Sequence, residues 1–290
     1  MTDWFPFDPA PRRPHTTPPA LACDGQFHVF GPADRYPVRP GAAYEMPSAT
    51  FAKARQMHAA LGLGRGVIVQ ATTYGTDYSA MLDALAEGGA NYRGCVVLRD
   101  SVTDAELHRL HDAGVRGTRF NFSRSVNYAP DAGTVARTLA RVRELGWYVK
   151  LQLHEGGLQE CLPLFDQVTE VPIVIDHMAR VDMALGLGCP TARLMLQLLA
   201  RGNWWVMLSN GHKLSRRGAP WDDAVEMARA FIEAAPARMV WASDWPHPLS
   251  SSPVPNDADL LELLYRYAPD KQVLQNILVD NPARVFGFDR

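Results

Sequence analysis

The chain has little sulfur available for crosslinking or for binding a soft metal. Its 290 residues contain four cysteines, Cys23, Cys95, Cys161 and Cys189, with no Cys-x-x-Cys spacing. That excludes a disulfide framework and a zinc ribbon, and points to reduced thiols in a cytoplasmic protein. Long apolar runs are missing, and none approaches the roughly 18 residues of a membrane span. There is no basic stripe either. The formal net charge is −2 with both signs scattered, so neither a membrane nor nucleic acid is an expected partner. No Gly-x-Gly-x-x-Gly or Walker sequence follows the first β-like run, which counts against nucleotide cofactors and redox chemistry. The N-terminus lacks the apolar segment of a secretion signal. Residues 1–20 read instead as a Pro-rich arm, with six prolines between residues 6 and 19.

What the chain does have is alternation. Short β-rich runs at 22–29, 66–70, 94–98, 117–122, 148–153, 171–176, 205–209 and 239–243 are separated by helical patterns. These lie at 48–61, 76–87, 103–112, 131–145, 158–168, 191–201 and 221–234, with two more at 258–267 and 270–286. Most of the β-rich runs are apolar throughout, as strands buried on both faces are. Thr103 with Glu106 reads as a capping box, and Gly62, Gly88, Gly114, Gly146 and Gly202 stop helices ahead of the next strand. Eight strand–helix units without a break in composition predict one α/β domain over 21–290, a (β/α)8 TIM barrel. A doubly wound open sheet is the alternative.

Such a barrel carries its site at the C-terminal ends of the strands. Strand 1 is the most informative. Gln26 and His28 share one face and Phe27 takes the other. His-x-His at that place would offer two imidazoles to one metal ion, whereas a glutamine amide is a poor ligand for zinc. The other strand ends bring Gln70 and Thr72, then Arg119, Asn121 and Arg124, then Gln152 and His154. His177, the run 209–213 with Lys213, and Asp244 complete the set. Arg119 lies in an otherwise apolar strand, where an unpaired structural cation would be expensive. His58, His108 and His111 fall on predicted helices and are expected at the surface, Asp176 is expected to be structural, and His247 is expected behind the site.

These residues stand in segments that resemble the amidohydrolase superfamily. The segments are CDGQFHVFGP (23–32), VQAT (69–72), GVRGTRFNF (114–122), VIDHMAR (174–180), WASDWPHP (241–248) and VDNPARVF (279–286). Within it, the chain is similar to the branch of 2-pyrone-4,6-dicarboxylate lactonases and related sugar-acid lactonases. The resemblance implies a distorted barrel, a general base at Asp244, a histidine at His177 and arginines at Arg119 and Arg124 that bind substrate carboxylates. It also implies that Tyr44 covers the site. The chain departs from the branch at Gln26, at Ser125 and Lys213 where arginines are expected, and at Gln152 where a tyrosine is expected. Its Gln-x-His also resembles the aldarolactone isomerases of the same branch.

The chemistry expected at this mouth is the opening of a small carboxylated lactone without a metal or other cofactor. Asp244 would deprotonate a water as it attacks the ring carbonyl and later protonate the leaving oxygen. His28, His177 and Gln26 would donate to the developing oxyanion. Arg119, Arg124 and Lys213 would hold a carboxylate, with Tyr44, Thr72, Gln152 and His154 lining the pocket. Two alternatives use the same residues. One is aldarolactone isomerisation, in which a substrate hydroxyl replaces water. The other is a hydrolase or decarboxylase with a single zinc on His28, His177 and Asp244.

Overall fold

The computed structural model describes residues 5–42, 44–122 and 130–289. Arg124 and Ser125 lie outside them. Eight parallel strands run in sequence order around one sheet. They are β1 Cys23–Phe27, β2 Arg65–Val69, β3 Tyr92–Val96, β4 Val115–Asn121, β5 Tyr148–Gln152, β6 Ile173–Ile175, β7 Trp204–Leu208 and β8 Met239–Trp241. Helices α1 Phe51–Leu61, α2 Ser79–Gly88, α3 Asp104–Asp112 and α4 Ala132–Glu144 cover the first half. The second half carries α5 Gly157–Cys161, α6 Pro190–Leu199, α7 Gly211–Leu214, α8 Asp222–Ala234, α9 Asp257–Tyr267, α10 Lys271–Gln275 and α11 Asn281–Phe286. The expected (β/α)8 barrel is therefore present. Where one helix was expected over 270–286, a π turn at Asn276–Asp280 separates α10 from α11.

Residues alternate along the strands as buried parallel sheets require. Cys23, Val67, Val69, Cys95, Val174, Met207 and Val240 pack together inside the barrel. Phe27, Ile68, Val96, Leu151, Ile175 and Leu208 belong to the larger layer between sheet and helices. Beneath the mouth, Lys150 and Asp176 form a fully buried ion pair at 3.0 Å. Thr103 caps α3 as the sequence predicts, accepting from the Glu106 amide at 3.2 Å.

Strand β1 breaks its own alternation. Cys23 faces the barrel interior and Phe27 faces the helices, although both carry odd numbers. A register shift between Asp24 and Phe27 absorbs the extra residue. Such a bulge re-aims side chains, and here it turns Gln26 and His28 into the mouth. Beyond the bulge, β1 meets the chain leaving β8. The Asp244 amide donates to the Gln26 carbonyl at 3.0 Å, and the His28 amide donates to the Trp245 carbonyl at 2.8 Å. The barrel is thus closed by the same segments that carry its polar residues.

One carboxylate pins this seam. Asp24 is fully buried and accepts from the amides of Gln26 (3.1 Å) and Ser243 (3.0 Å), from Ser243 Oγ, and from His58 Nε2 (3.1 Å). His58 is therefore not a surface residue. It is 1% exposed, with its ring packed edge-on against Phe27 and its Nδ1 on the Tyr92 hydroxyl. The partner that draws it inward, Asp24, lies on another element and leaves no trace in the helical pattern. The N-terminal segment is anchored next to the same seam. The Phe5 amide donates to the Ser250 carbonyl, Phe7 packs edge-on against Trp245, and Arg12 and His15 pair with Asp259 and Glu262 on α9. Asp24→Ala leaves these buried donors unpaired. It should lower unfolding free energy by about 3–5 kcal/mol, read from urea midpoints, and a loss below about 1 kcal/mol would show that the seam does not depend on it.

Candidate active site

A cavity of about 560 Å³ opens at the C-terminal ends of the strands. Gln26, His28, Tyr44, Thr72, Arg119, Gln152, His154, His177, Lys213 and Asp244, ten residues singled out in the sequence, all line it. At its floor lies the Asp244 carboxylate, and both oxygens are occupied. Gln26 Nε2 donates to Oδ1 at 2.8 Å, and Asn210 Nδ2 donates to Oδ2 at 2.8 Å. Lys213 Nζ stands 3.5 Å from Oδ2, while His28 Nε2 and His177 Nε2 stand 3.5 and 4.0 Å from Oδ1. Gln26 is thus closer to Asp244 than the open oxyanion donor foreseen from sequence, with one amide hydrogen already committed.

Burial works to raise the Asp244 pKa, but His177, Lys213 and the His28 hydrogen bond outweigh it and hold the carboxyl well below the usual range. Burial also depresses the Lys213 ammonium, against the pull of Asp244. His177 is brought down to about 4, with burial the largest cause, so its ring is neutral at pH 7. Its Nδ1 lies 2.8 Å from Ser209 Oγ and 3.0 Å from Asn210 Nδ2. His28 Nδ1 donates to the Val69 carbonyl at 2.8 Å, which directs Nε2 at Asp244.

The backbone at these positions is strained. His177, Asn210 and Asp244 all have positive φ, at 52°, 57° and 62°, and the turn from His177 to Arg180 stays left-handed throughout. Non-glycine residues in that region cost on the order of 1–3 kcal/mol each and cluster at functional sites. The left-handed turn also brings in a residue that the sequence reading passed over. Arg180, the last residue of VIDHMAR, lines the cavity with its Nε buried and unpartnered. The motif was the available signal, but the swing of the turn was not legible in it. Asn210 was likewise inside a noted run without a role of its own.

The cations have uneven commitments. Arg119 is 4% exposed and donates Nη2 to the Gln70 carbonyl at 2.7 Å, leaving Nε buried and unpartnered. Gln152 accepts from Asn121 at 3.3 Å, and Thr72 donates to the Tyr44 hydroxyl at 3.4 Å. His154 contacts the Glu155 carbonyl and pairs with Glu160 at 3.0 Å, so it sits at the rim. His247 lies behind the site as expected, with Nε2 on Asp257 at 2.9 Å. Among the described residues, no group of three or more His, Cys, Asp or Glu is arranged to hold a metal ion.

The depressed histidine has a consequence for stability. Its ordinary pKa is 6.5 and its folded value is about 4, so between these the unfolded chain binds the proton and the folded chain does not. Stability therefore falls as pH drops from about 6.5 towards 4, by on the order of 3 kcal/mol for His177 alone. Replacement by glutamine should flatten that part of the pH–stability curve measured by chemical denaturation, and an unchanged slope would contradict a buried neutral ring.

Known proteins resemble this chain over nearly its whole length. The amidohydrolase family model matches residues 14–288. A 2-pyrone-4,6-dicarboxylate hydrolase of Comamonas testosteroni is 36% identical, over 98% of this chain and 95% of its own. A 4-sulfomuconolactone hydrolase of Rhizobium radiobacter is 35% identical, over 93% of this chain and 91% of its own. The crystal structure of a probable 2-pyrone-4,6-dicarboxylic acid hydrolase from Acinetobacter baumannii, with citric acid bound, superposes with a TM-score of 0.82. It is 27% identical and covers 92% of this chain and all of its own. With the family model spanning nearly the whole chain and the relatives matched end to end, this protein belongs to the amidohydrolase family.

Proposed function

We propose that the protein hydrolyses a small lactone carrying anionic substituents, with Asp244 as the proton-transfer group and no metal ion. The observation that carries the reading is a single buried carboxylate, ringed by N–H donors, beneath a rim of incompletely paired cations. The relatives' names point the same way, since both curated ones act on lactones with acidic groups. The departures at Lys213 and Gln152 argue for a recut anion pocket and a substrate other than the pyrone dicarboxylate.

In this reading, a water lying against Asp244 attacks the ring carbonyl and gives up its proton to the carboxylate. The new carbon–oxygen bond leaves a tetrahedral oxyanion, which His177 Nε2–H and the second Gln26 N–H stabilise, with His28 alongside. Collapse breaks the bond to the ring oxygen, which takes the proton back from Asp244. One water is consumed and an open acid forms. Asp244 is a weak base in the free site because cations and donors surround it. A substrate carboxylate that draws Lys213 away removes one of those influences, so binding the anion raises the basicity of Asp244 where it is needed.

Arg119 and Arg180 supply unpartnered buried N–H groups for the substrate's anionic groups. Gln26 supports the metal-free reading. A side-chain amide donates at any pH, and its nitrogen has no lone pair to offer a cation.

The test is a lactone panel assayed on chelator-treated protein, with products followed by NMR in 18O-labelled water. The reading expects an open acid carrying label, and a loss of about 10²–10⁴-fold in Asp244→Asn. An unlabelled lactone of altered ring size would mean isomerisation, and activity that returns only with added zinc would sink the metal-free reading. Arg180→Met should lower kcat/KM by about 10–100-fold, equivalent to about 1.5–3 kcal/mol for a charged hydrogen bond, while leaving the melting temperature near that of the wild type.

A further inference from the structure

Asn210 is 6% exposed and lies between His177 and Asp244. Its amide nitrogen is 2.8 Å from Asp244 Oδ2 and 3.0 Å from His177 Nδ1, and its oxygen is buried without a partner. A carboxylate oxygen only accepts, so the nitrogen, not the oxygen, must face Asp244. The same NH2 group then directs its second hydrogen at His177 Nδ1. A ring nitrogen that receives an N–H cannot carry its own proton. Ser209 Oγ, 2.8 Å away, can donate or accept and adapts to either form. The neutral ring therefore holds its proton on Nε2, which faces Asp244 Oδ1 at 4.0 Å.

We propose that Asn210 is a tautomer lock: it keeps His177 as an Nε2–H donor and thereby keeps a divalent cation out of the triangle of His28, His177 and Asp244. Metal ligation needs a lone pair on the facing nitrogen. To supply one, His177 must move its proton to Nδ1, where it meets the Asn210 N–H head-on. Turning the amide over to relieve that contact sets Asn210 Oδ1 against Asp244 Oδ2, two acceptors at hydrogen-bond distance. The carboxylate thus enforces the amide, and the amide enforces the tautomer.

His28 is built the opposite way. Its Nδ1–H is committed to the Val69 carbonyl, which leaves Nε2, 3.5 Å from Asp244 Oδ1, as the ring nitrogen a cation could take by displacing any proton there. Among the described residues, His28 therefore has no partner that fixes its proton on Nε2 in the way Asn210 does for His177. Gln26 alone does not close the site, because three protein ligands can hold a catalytic zinc. The lock acts on the third. The role of His177 as an oxyanion donor rests on the lactonase reading, whereas the tautomer and the exclusion of cations do not.

Asparagine is also among the residues that tolerate a left-handed backbone, and the variants are chosen with that in mind. Glycine and aspartate tolerate it too. Asn210→Gly removes the donor without adding charge, and Asn210→Asp replaces the donor with an acceptor. Long-range 1H–15N spectra of histidine-labelled protein, with His177 assigned by its loss in His177→Gln, report the tautomer directly. Zinc affinity is measured alongside by competition with a chromophoric chelator.

The wild type should show a bare Nδ1 and a protonated Nε2. Asn210→Asp should reverse them, and both variants should bind Zn2+ about 10–100-fold more tightly, the usual scale for groups that orient a metal-binding histidine. A protonated Nδ1 in the wild type overturns the lock with no variant needed. So does an unaltered tautomer in Asn210→Asp, or tighter zinc in Asn210→Asp alone, which would report added charge only. None of these readouts involves turnover, so a protein inactive on every lactone would defeat the proposed function and leave this inference standing or falling by itself.

Discussion

The structure depends on how the barrel closes. A parallel eight-stranded sheet must bring its last strand back to its first, and here only short stretches are available on each side. Asp24 makes the join rigid by holding Gln26, Ser243 and His58 on one buried carboxylate. Just beyond it on each side, the closing hydrogen bonds run through Gln26, His28, Asp244 and Trp245. The groups proposed to carry the chemistry are therefore positioned by the main-chain ladder itself. The N-terminal segment adds to this from outside, through Phe7 on Trp245 and Phe5 on Ser250.

Within that frame, the electrostatics of Asp244 set the terms for everything else. A carboxylate this deeply buried would ordinarily take up a proton. It stays ionised because two amides, one ammonium and two imidazoles face it. The arrangement trades basicity for a guaranteed charge state. In the proposed mechanism, an anion that engages Lys213 loosens its hold on Oδ2. The positive φ values at His177, Asn210 and Asp244 indicate that the fold bears a conformational cost to place these groups.

Much of this was legible in the sequence, and the physical reasons are specific. Buried parallel strands announce themselves as short apolar runs, so the eight strands and their polar ends could be read along the chain. Ten of the candidate site residues line one cavity because strand ends in a barrel converge whatever their separation in sequence. What escaped depends on partners that sequence spacing does not reveal. His58 looked like a surface residue because its partner, Asp24, lies on another element. Arg180 reaches the cavity only through a run of left-handed residues. The bulge in β1 leaves the shared face of Gln26 and His28 intact but breaks the parity with Cys23. Asn210 carries no motif at all, and its importance lies in two contacts made with residues more than thirty positions away.

Two neutral amides flank the one carboxylate, Gln26 on one oxygen and Asn210 on the other. A divalent cation in the same place would neutralise Asp244 and also polarise a carbonyl, worth several kcal/mol of transition-state stabilisation. Amides neutralise nothing and leave carbonyl activation to hydrogen-bond donors, each worth about 2.7–4 kcal/mol when well aimed. Such a site suits electrophiles that need modest help. On the proposed metal-free reading, a strained or conjugated lactone, whose ring oxygen leaves as a stabilised anion, is within reach of such donors, whereas an unactivated amide is not. The cationic rim fits the same logic. In the proposed reading, binding energy from substituents remote from the carbonyl contributes the rest, and Arg119, Arg180 and Lys213, which line the cavity, are the cations proposed to meet their charge.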